Sequence, residues 1–491
     1  MRRWRDQAAP DDPEAYYAVG RMWPTKRGTY ETADFSTGTS KSATSAGTVL
    51  YAFCARTLTG AREYVVDSAR LWEYSSGSLT DRTNGVTVGS IRNIHMTQYG
   101  NDTYCVMGTA NPTVVSSGGN FAAAGGSVPQ ARIIGKLGGA LMVANTSVSA
   151  DEFAFSDQYN PTDFLTGEAE RRRILDTEGP INAAVQYGDA MYFFKKSAIY
   201  RASYIGGNEK YRVELVWLGL GVGDNTYSGG QYQAVATGRG IVFNANQAGN
   251  GNNVYLFDGV SPPRCLNPDT TLDSSFGVYL YNPIDEVLTI APALGSNASG
   301  TEDAGDAASL YYYYSFQSEA WGSGIGSAEE DYEATTTFPQ VFPNGVLQGD
   351  YYARAETSSK PVYWRFRNIT TGAFYRCAPS APSATSTCFL QTSKVGTPER
   401  RTLFTRLTTI MRRMTDLGTD SATCELTLFT EREDASARIT RSSIAESSYR
   451  KRFDLSGGEA SDFFARFKVT WTARDVEVDD LVPTPNPSGT E

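Results

Sequence analysis

The chain has 491 residues, long enough to bury a sizeable core in one or two domains, and carries a net charge of −10 with a pI near 5.0. That acidity argues against a grip on nucleic acid: duplex DNA presents roughly one negative charge per 1.7 Å of axis, and tight binders need clustered Lys and Arg. No run of about 18 apolar residues is present to span a bilayer as a helix.

The 29 Tyr, 23 Phe and 7 Trp fit half-buried pleated surfaces, and the 47 Gly favour turns, so many short strands are predicted rather than helices. Met1-Arg2-Arg3-Trp4-Arg5-Asp6 is charged and no apolar stretch follows it, so no secretory signal is expected. Residues 1–35 read as an N-terminal arm. Six cysteines (Cys54, Cys105, Cys265, Cys377, Cys388, Cys424) are scattered without a CxxC pair, which reads as free, mostly buried thiols in a protein made in the cytoplasm. Cys377 and Cys388 are close enough in sequence to bridge a loop, although spacing alone does not establish a bond.

From residue 36 a degenerate unit recurs: an aromatic-rich strand, a short polar turn, then a second strand. It begins at Leu71-Trp72-Glu73-Tyr74 and returns at Thr103-Tyr104-Cys105-Val106-Met107 and Glu152-Phe153-Ala154-Phe155. Met191-Tyr192-Phe193-Phe194 leads through Lys195-Lys196-Ser197 to Ala198-Ile199-Tyr200, and Val254-Tyr255-Leu256-Phe257 runs into Asp258-Gly259. Leu310 to Tyr314 leads to Ala320-Trp321, and Pro361-Val362-Tyr363-Trp364 closes the series. The mean spacing of about 49 residues matches four-stranded propeller blades, which run to about 40–50. Residues 36–395 are therefore expected to form a β-propeller of six or seven blades, a closed ring that leaves no long exposed edge. One large β-sandwich is the alternative. Residues 115–128 and 295–306, rich in Ser, Gly and Ala, read as loop insertions without the apolar content to pack.

Residues 379–386 (PSAPSATS) read as a linker, with a domain boundary near Gly396. Beyond it, strand-like runs at 403–411, 424–429, 463–471 and 476–478 suit a C-terminal β-sandwich over 396–482. Residues 483–491, with three prolines in five positions at the start, are expected to be a disordered tail.

Chemistry is harder to find. His95 is the only histidine, which removes HExxH zinc sites, multi-histidine metal sites and paired-histidine catalysis. No GxSxG surrounds a serine, and His95 sits in an apolar-flanked run, so it reads as a packed or surface residue. Glycoside hydrolysis needs two convergent carboxylates, and 54 acidic residues make some convergence inevitable, so their presence discriminates little. The propeller Asp-box SxDxGxxW is approached by Ser156-Asp157 and by Ser315 to Trp321, but neither keeps the spacing. Gly219-Leu220-Gly221-Val222-Gly223 fits GxGxG, yet Asp224-Asn225-Thr226 follows with no lysine and no helical pattern, so these are turn glycines. Arg400, Arg401, Arg406, Arg412 and Arg413 read as a solvated strand face or as protein-contact residues, and the acidic run 475–480 as solvated. No catalytic, cofactor-binding or metal-ligating residue is assigned, and the chain is read as a non-enzyme.

The middle of the chain resembles one family. Phe155-Ser156-Asp157-Gln158-Tyr159-Asn160-Pro161-Thr162-Asp163-Phe164 is similar to a segment of short-tailed phage tail proteins, with Phe164 where a Trp is usual. In order follow Glu178-Gly179-Pro180-Ile181-Asn182-Ala183, Met191 to Phe194, Ala198-Ile199-Tyr200-Arg201, Tyr204-Ile205-Gly206-Gly207, Gly219 to Gly223 and Tyr255-Leu256-Phe257-Asp258-Gly259. That succession resembles the propeller of the tail nozzle family, also called packaged-DNA stabilisation proteins. Tyr281-Asn282-Pro283, Val287 to Ile290 and Tyr311 to Trp321 resemble the following blade, and Asp462 to Phe467 a terminal strand. The resemblance implies a virion protein in a homo-oligomeric ring, six subunits being expected, beneath the portal and head-to-tail adaptor. Such a ring extends the channel through which genomic DNA passes without sequence-specific binding, retains the packaged genome and anchors tail fibres or tailspikes. The alternative is a propeller-type tail protein that binds or cleaves glycans.

Overall fold

The computed structural model describes residues 94–223, 230–245 and 253–268 without a break, parts of 53–88 and 279–321, and the backbone of the strands named outside them. Among the described residues every regular element is a strand except one single-turn 3-10 segment, Gly230–Gln233. The expectation of an all-β chain holds.

Six antiparallel meanders follow one another, and none closes on itself. Sheet I takes Val49–Thr57, Gly60–Asp67, Leu71–Ser75 and Ser78–Asp81, with Leu347–Gln348 added in parallel beside its first strand. Sheet II takes Ile94–Tyr99, Asp102–Met107, Val114–Ser116 and Ala122–Ala123. Sheet III takes Ala131–Leu137, Ala140–Thr146, Glu152–Phe155 and Glu170–Arg173; sheet IV takes Ala183–Tyr187, Ala190–Phe194, Ala198–Tyr204 and Tyr211–Leu218. Sheet V takes Ala234–Thr237, Gly240–Asn246, Asn252–Phe257 and Arg264–Cys265; sheet VI takes Val278–Asn282, Val287–Ala291, Leu310–Ser315 and Ala320–Ile325. The first strand of each sheet lies against the first strand of the next, from sheet I through sheet VI.

The sequence of these strands follows from what covers them. All five residues of Ala190–Phe194 are buried, and so are all seven of Ala140–Thr146. Successive side chains on a strand point to opposite faces, so an unbroken apolar run means that both faces are covered. Sheet IV illustrates the division. Met191 and Phe193 join a core shared with Met142, Phe153 and Phe155 of sheet III, whereas Ala190, Tyr192 and Phe194 join one shared with Ile241, Phe243 and Phe257 of sheet V. Sheet III divides in the same way, sending Leu141 and Val143 toward Tyr104 and Val106 of sheet II. Aromatic rings interlock across the joints: Phe153 stacks on Phe193 at 4.7 Å, and Phe155 lies flat on Tyr211 at 3.9 Å.

One expectation is corrected in part. Residues 115–128 are loop over most of their length, but Val114–Ser116 and Ala122–Ala123 are the outer strands of sheet II. Small residues suffice there because strand pairing needs only backbone groups, and Phe121 supplies the anchor. It is fully buried, edge-on to Tyr64 at 5.4 Å, and its N–H donates to the Arg82 carbonyl at 2.9 Å. Residues 295–306 lie outside the described residues.

The unit at 361–364 leads into strand Tyr363–Asn368, which pairs with Ala373–Cys377, and that strand pairs in turn with Thr39–Lys41. Strands beyond it form two further sheets that also recruit residues of the expected N-terminal arm. Ala15–Gly20 pairs with Thr387–Thr392, and Tyr30–Thr32 with Val476–Pro485. Val476–Pro485 reaches into the expected tail; its prolines pair on one side only, with Phe404 and Leu407, as proline at an open edge allows.

Because Phe193 is fully buried in the joint between sheets III and IV, Phe193→Ala should lower unfolding free energy by about 3–5 kcal/mol, read by chemical denaturation.

Candidate functional site

Strand alternation puts the turns at 100–101, 138–139 and 205–210 and the 156–169 loop on one rim of sheets II, III and IV. The loop is built from its carboxylates. Ser156 Oγ accepts the Leu141 N–H at 2.9 Å and donates to the Asp157 carbonyl at 2.9 Å. Asp157 Oδ1 accepts the Glu168 N–H at 2.7 Å, closing the loop base, and Asp163 Oδ1 accepts the N–H groups of Leu165 and Thr166 at 2.9 and 3.0 Å. Hydrogen bonds, first from the Thr166 hydroxyl and then from those amides, hold the Asp163 carboxyl below its ordinary range. Phe164 turns inward against sheet II, with its N–H donating to Ser127 Oγ at 2.7 Å.

What this frame presents is aromatic. Tyr159 has φ 61°, a left-handed conformation uncommon for a bulky residue; its N–H donates to the Gly139 carbonyl at 2.7 Å, and it is 85% exposed. Tyr204, at the end of the third strand of sheet IV, donates its hydroxyl to Glu168 Oε2 at 2.9 Å, and Lys210 Nζ sits 3.3 Å from Glu168 Oε1. The Glu168 bond raises the Tyr204 hydroxyl above its ordinary range, so it stays a donor. Gln158 Nε2 donates to the buried Tyr211 hydroxyl at 3.1 Å. Leu165 and Ile205 add exposed aliphatic surface on the same loop and turn. With Glu168 engaged by Tyr204 and Lys210, the groups on this rim offer stacking, hydrogen bonding and charge pairing. Sequence reasoning quoted Tyr159 and Tyr204 only as family motif residues. Their place on one rim comes from the packing of sheet III on sheet IV, where Tyr204 reaches Glu168 of the loop that bears Tyr159, and no local pattern carries it.

The residues singled out in the sequence are dispersed. Ser315 is buried, and Trp321 rests on Tyr314 at 4.9 Å and donates to the Leu266 carbonyl at 2.9 Å, so both act in packing, far in sequence from Ser156-Asp157. His95, on the first strand of sheet II, is half-buried; its Nδ1 accepts the Ile134 N–H at 3.2 Å and its ring meets Tyr232 edge-on. Tyr232 in turn donates its hydroxyl to the Ile94 carbonyl, joining the approach to sheet V to the start of sheet II. Burial lowers the His95 pKa to about 4. Gly219 to Gly223 are irregular backbone after a bend at Gly219: the Gly219 N–H donates to the Ser197 carbonyl at 2.7 Å, and a Cβ on Gly221 would lie 2.0 Å from the Lys195 carbonyl oxygen. Lys195 is itself buried, donating to the carbonyls of Ile174 and Thr177 at 2.8 and 2.5 Å, and burial lowers its pKa. Cys105 is a buried thiol pushed up by burial, and the half-buried Cys265 thiol donates to Asn267 Oδ1 at 3.7 Å. The side chains of Cys54, Cys377, Cys388, Cys424, the arginines at 400–413 and the acidic run 475–480 lie outside the described residues. Among the described residues no group of three or more His, Cys, Asp and Glu is placed to hold a metal ion.

No family model matches the chain, and no curated protein matches it. Among solved structures it is similar to the extracellular domain of a hybrid two-component system from B. thetaiotaomicron, at 10% identity and a TM-score of 0.42. That likeness covers 81% of this chain and 44% of the other, so the chain spans less than half that protein's length. It is also similar to apo AztD from Citrobacter koseri, at 9% identity and a TM-score of 0.33, covering 62% of this chain and 80% of that one. At this level of superposition neither likeness carries weight for fold or function.

His95 ties stability to pH. Its folded pKa of about 4 lies below the ordinary 6.5, so between those values the unfolded chain takes up a proton that the folded chain refuses. Stability should therefore fall as pH drops from about 6.5 to about 4, by at most about 3 kcal/mol, and the slope in that window should flatten in His95→Gln. Gly221→Ala should cost about 1–3 kcal/mol or prevent folding, because the clash is with backbone; denaturation of the purified variant reads either outcome.

Proposed function

We propose that this chain is a virion structural protein, the nozzle subunit of a short-tailed phage tail, whose 36–395 region is a β-propeller. The observation that carries the reading is order. The family-like motifs fall one after another into sheets III, IV and V, and Phe155, Phe193, Phe194, Tyr200 and Phe257 among them lie in the cores between sheets. Two features support a propeller in particular. First strands neighbour first strands from sheet I to sheet VI, as they do around a common axis, and Thr39–Lys41 pairs with Ala373–Cys377, bringing the two ends of the region together in one sheet.

A stack of sheets buried on both faces is stiff, which suits a part that conducts DNA and bears fibres. A ring needs a heterologous interface repeated by rotation, so each subunit presents two different surfaces. The net charge of −10 suits a channel that repels DNA and lowers friction during ejection. Portal and adaptor lie above the ring in this reading, fibres or tailspikes outside it, and DNA passes through without sequence-specific binding. A glycan-contacting tail protein is the second reading, favoured by the exposed Tyr159 and Tyr204 beside Glu168.

Electron microscopy of the full chain mixed with a portal–adaptor complex discriminates the two. Rings seated on the adaptor are the expected result. A chain that neither forms rings nor binds the adaptor, yet binds host polysaccharide or releases reducing sugar from it, overturns the nozzle reading.

A further inference from the structure

We infer that the outer edge of sheet IV, strand Tyr211–Leu218, is a docking edge on which an extended segment of another protein adds as a fifth strand. This surface is independent of the ring reading and goes beyond it. The strand has eight residues, whereas the outer strands of the other five sheets have two to six. Its inner side pairs with Ala198–Tyr204. On the other side the Tyr211 N–H donates to Glu170 Oε2 at 2.8 Å, and over 212–218 no described residue is hydrogen-bonded along that edge. The next longest outer strand, Ala320–Ile325 of sheet VI, has neighbours within its own chain, the strands Ala15–Gly20 and Met22–Pro24. An open row of N–H and C=O groups is a template for strand addition, and proteins blunt such edges with lysine or proline. Tyr211–Leu218 contains neither.

The side chains on this strand say what fits it. Val213 packs toward the core shared with sheet III, and Val216 and Trp217 toward the core shared with sheet V, so the strand is held from both faces. Leu215 and Leu218 stay outside, 46% and 63% exposed. The charges are already engaged: Arg212 Nε lies 2.7 Å from Glu214 Oε1, and Arg201 Nη2 lies 2.6 Å from Glu214 Oε2. A charged partner therefore gains little here. Apolar side chains on an added strand would cover both leucines while its backbone takes up the open ladder. A second copy of this strand fits poorly. The antiparallel register that sets Arg212 opposite Glu214 of another copy leaves Leu218 opposite Asn208, outside the strand. The register that sets Leu215 opposite itself places Arg212 opposite Leu218. The occupant is thus a segment of unlike sequence, extended, free of proline, and apolar where it meets the two leucines.

Panning a library of random eight-residue peptides against the full chain, followed by hydrogen exchange with the selected peptides, tests this. Selected peptides should share apolar residues near alternate positions, and outward amides of 212–218 should exchange at least about tenfold more slowly when peptide is bound. Leu215→Lys with Leu218→Lys, and separately Leu215→Thr with Leu218→Thr, should leave the denaturation midpoint unchanged, because both side chains are exposed. Both pairs should weaken peptide binding about tenfold or more. Tyr159→Ser, on the rim, should bind as wild type does. The inference falls if no peptide is selected, if protection appears elsewhere, or if the double variants bind as well as wild type. It falls equally if sedimentation shows peptide-free wild type dimerising with 212–218 already protected, since a second copy is then the occupant. The ring reading stands or falls separately, on electron microscopy with the portal–adaptor complex.

Discussion

Burial of both faces of the central sheets III and IV is the constraint from which the rest of this structure follows. A four-stranded meander alone is marginal in water, and one with two apolar faces is insoluble unless something covers both. Here the cover is the next meander. Sheet IV lays Phe193 against Phe153 on one side and Phe194 against Phe243 on the other, so neither face is free to vary by itself. Close packing on both sides makes the assembly rigid, and rigidity pushes variation outward to the turns.

The division of labour between joint and rim follows from that. Inside the joints, polar groups are tied to backbone: buried Lys195 spends its donors on the Ile174 and Thr177 carbonyls, and Asn182 donates to the Val222 carbonyl at 2.7 Å. These contacts fix the connections between consecutive sheets, where a misplaced turn would shift the register of everything after it. At the rim, Asp157 and Asp163 fold the 156–169 loop onto its own amides and leave Tyr159 facing outward. The proposed mechanical role would draw on both parts, stiffness from the joints and contact from the turns.

Much of this was legible because aromatic runs bounded by polar turns have a physical cause. Met191 to Phe194 reads as a strand for the same reason that it is buried: its side chains alternate between two cores, and only an unbroken apolar run satisfies both. The short strands at 114–116 and 122–123 were not legible, because Ser, Gly and Ala at an outer sheet position look like a loop. The strands there depend on the pairing of Val115 with Tyr104 and of Ala122 with Val115, and on Phe121 reaching Tyr64 of sheet I. The rim was not legible at all. Tyr159 and Tyr204 lie in separate motifs, and nothing local says that the turn of sheet IV hangs beside the loop of sheet III.

By itself, then, the sequence determined the class of the elements, their turns and their repetition, since these depend on side-chain period and on residues such as Gly and Pro within a few positions of one another. Tertiary structure alone decided which faces meet, that Tyr232 joins the approach to sheet V to Ile94 of sheet II, and that Thr39–Lys41 is paired with a strand more than three hundred residues later. Those are long-range closures. Their energy comes from surfaces that exist only after the sheets have formed, so no pattern within a single segment records them.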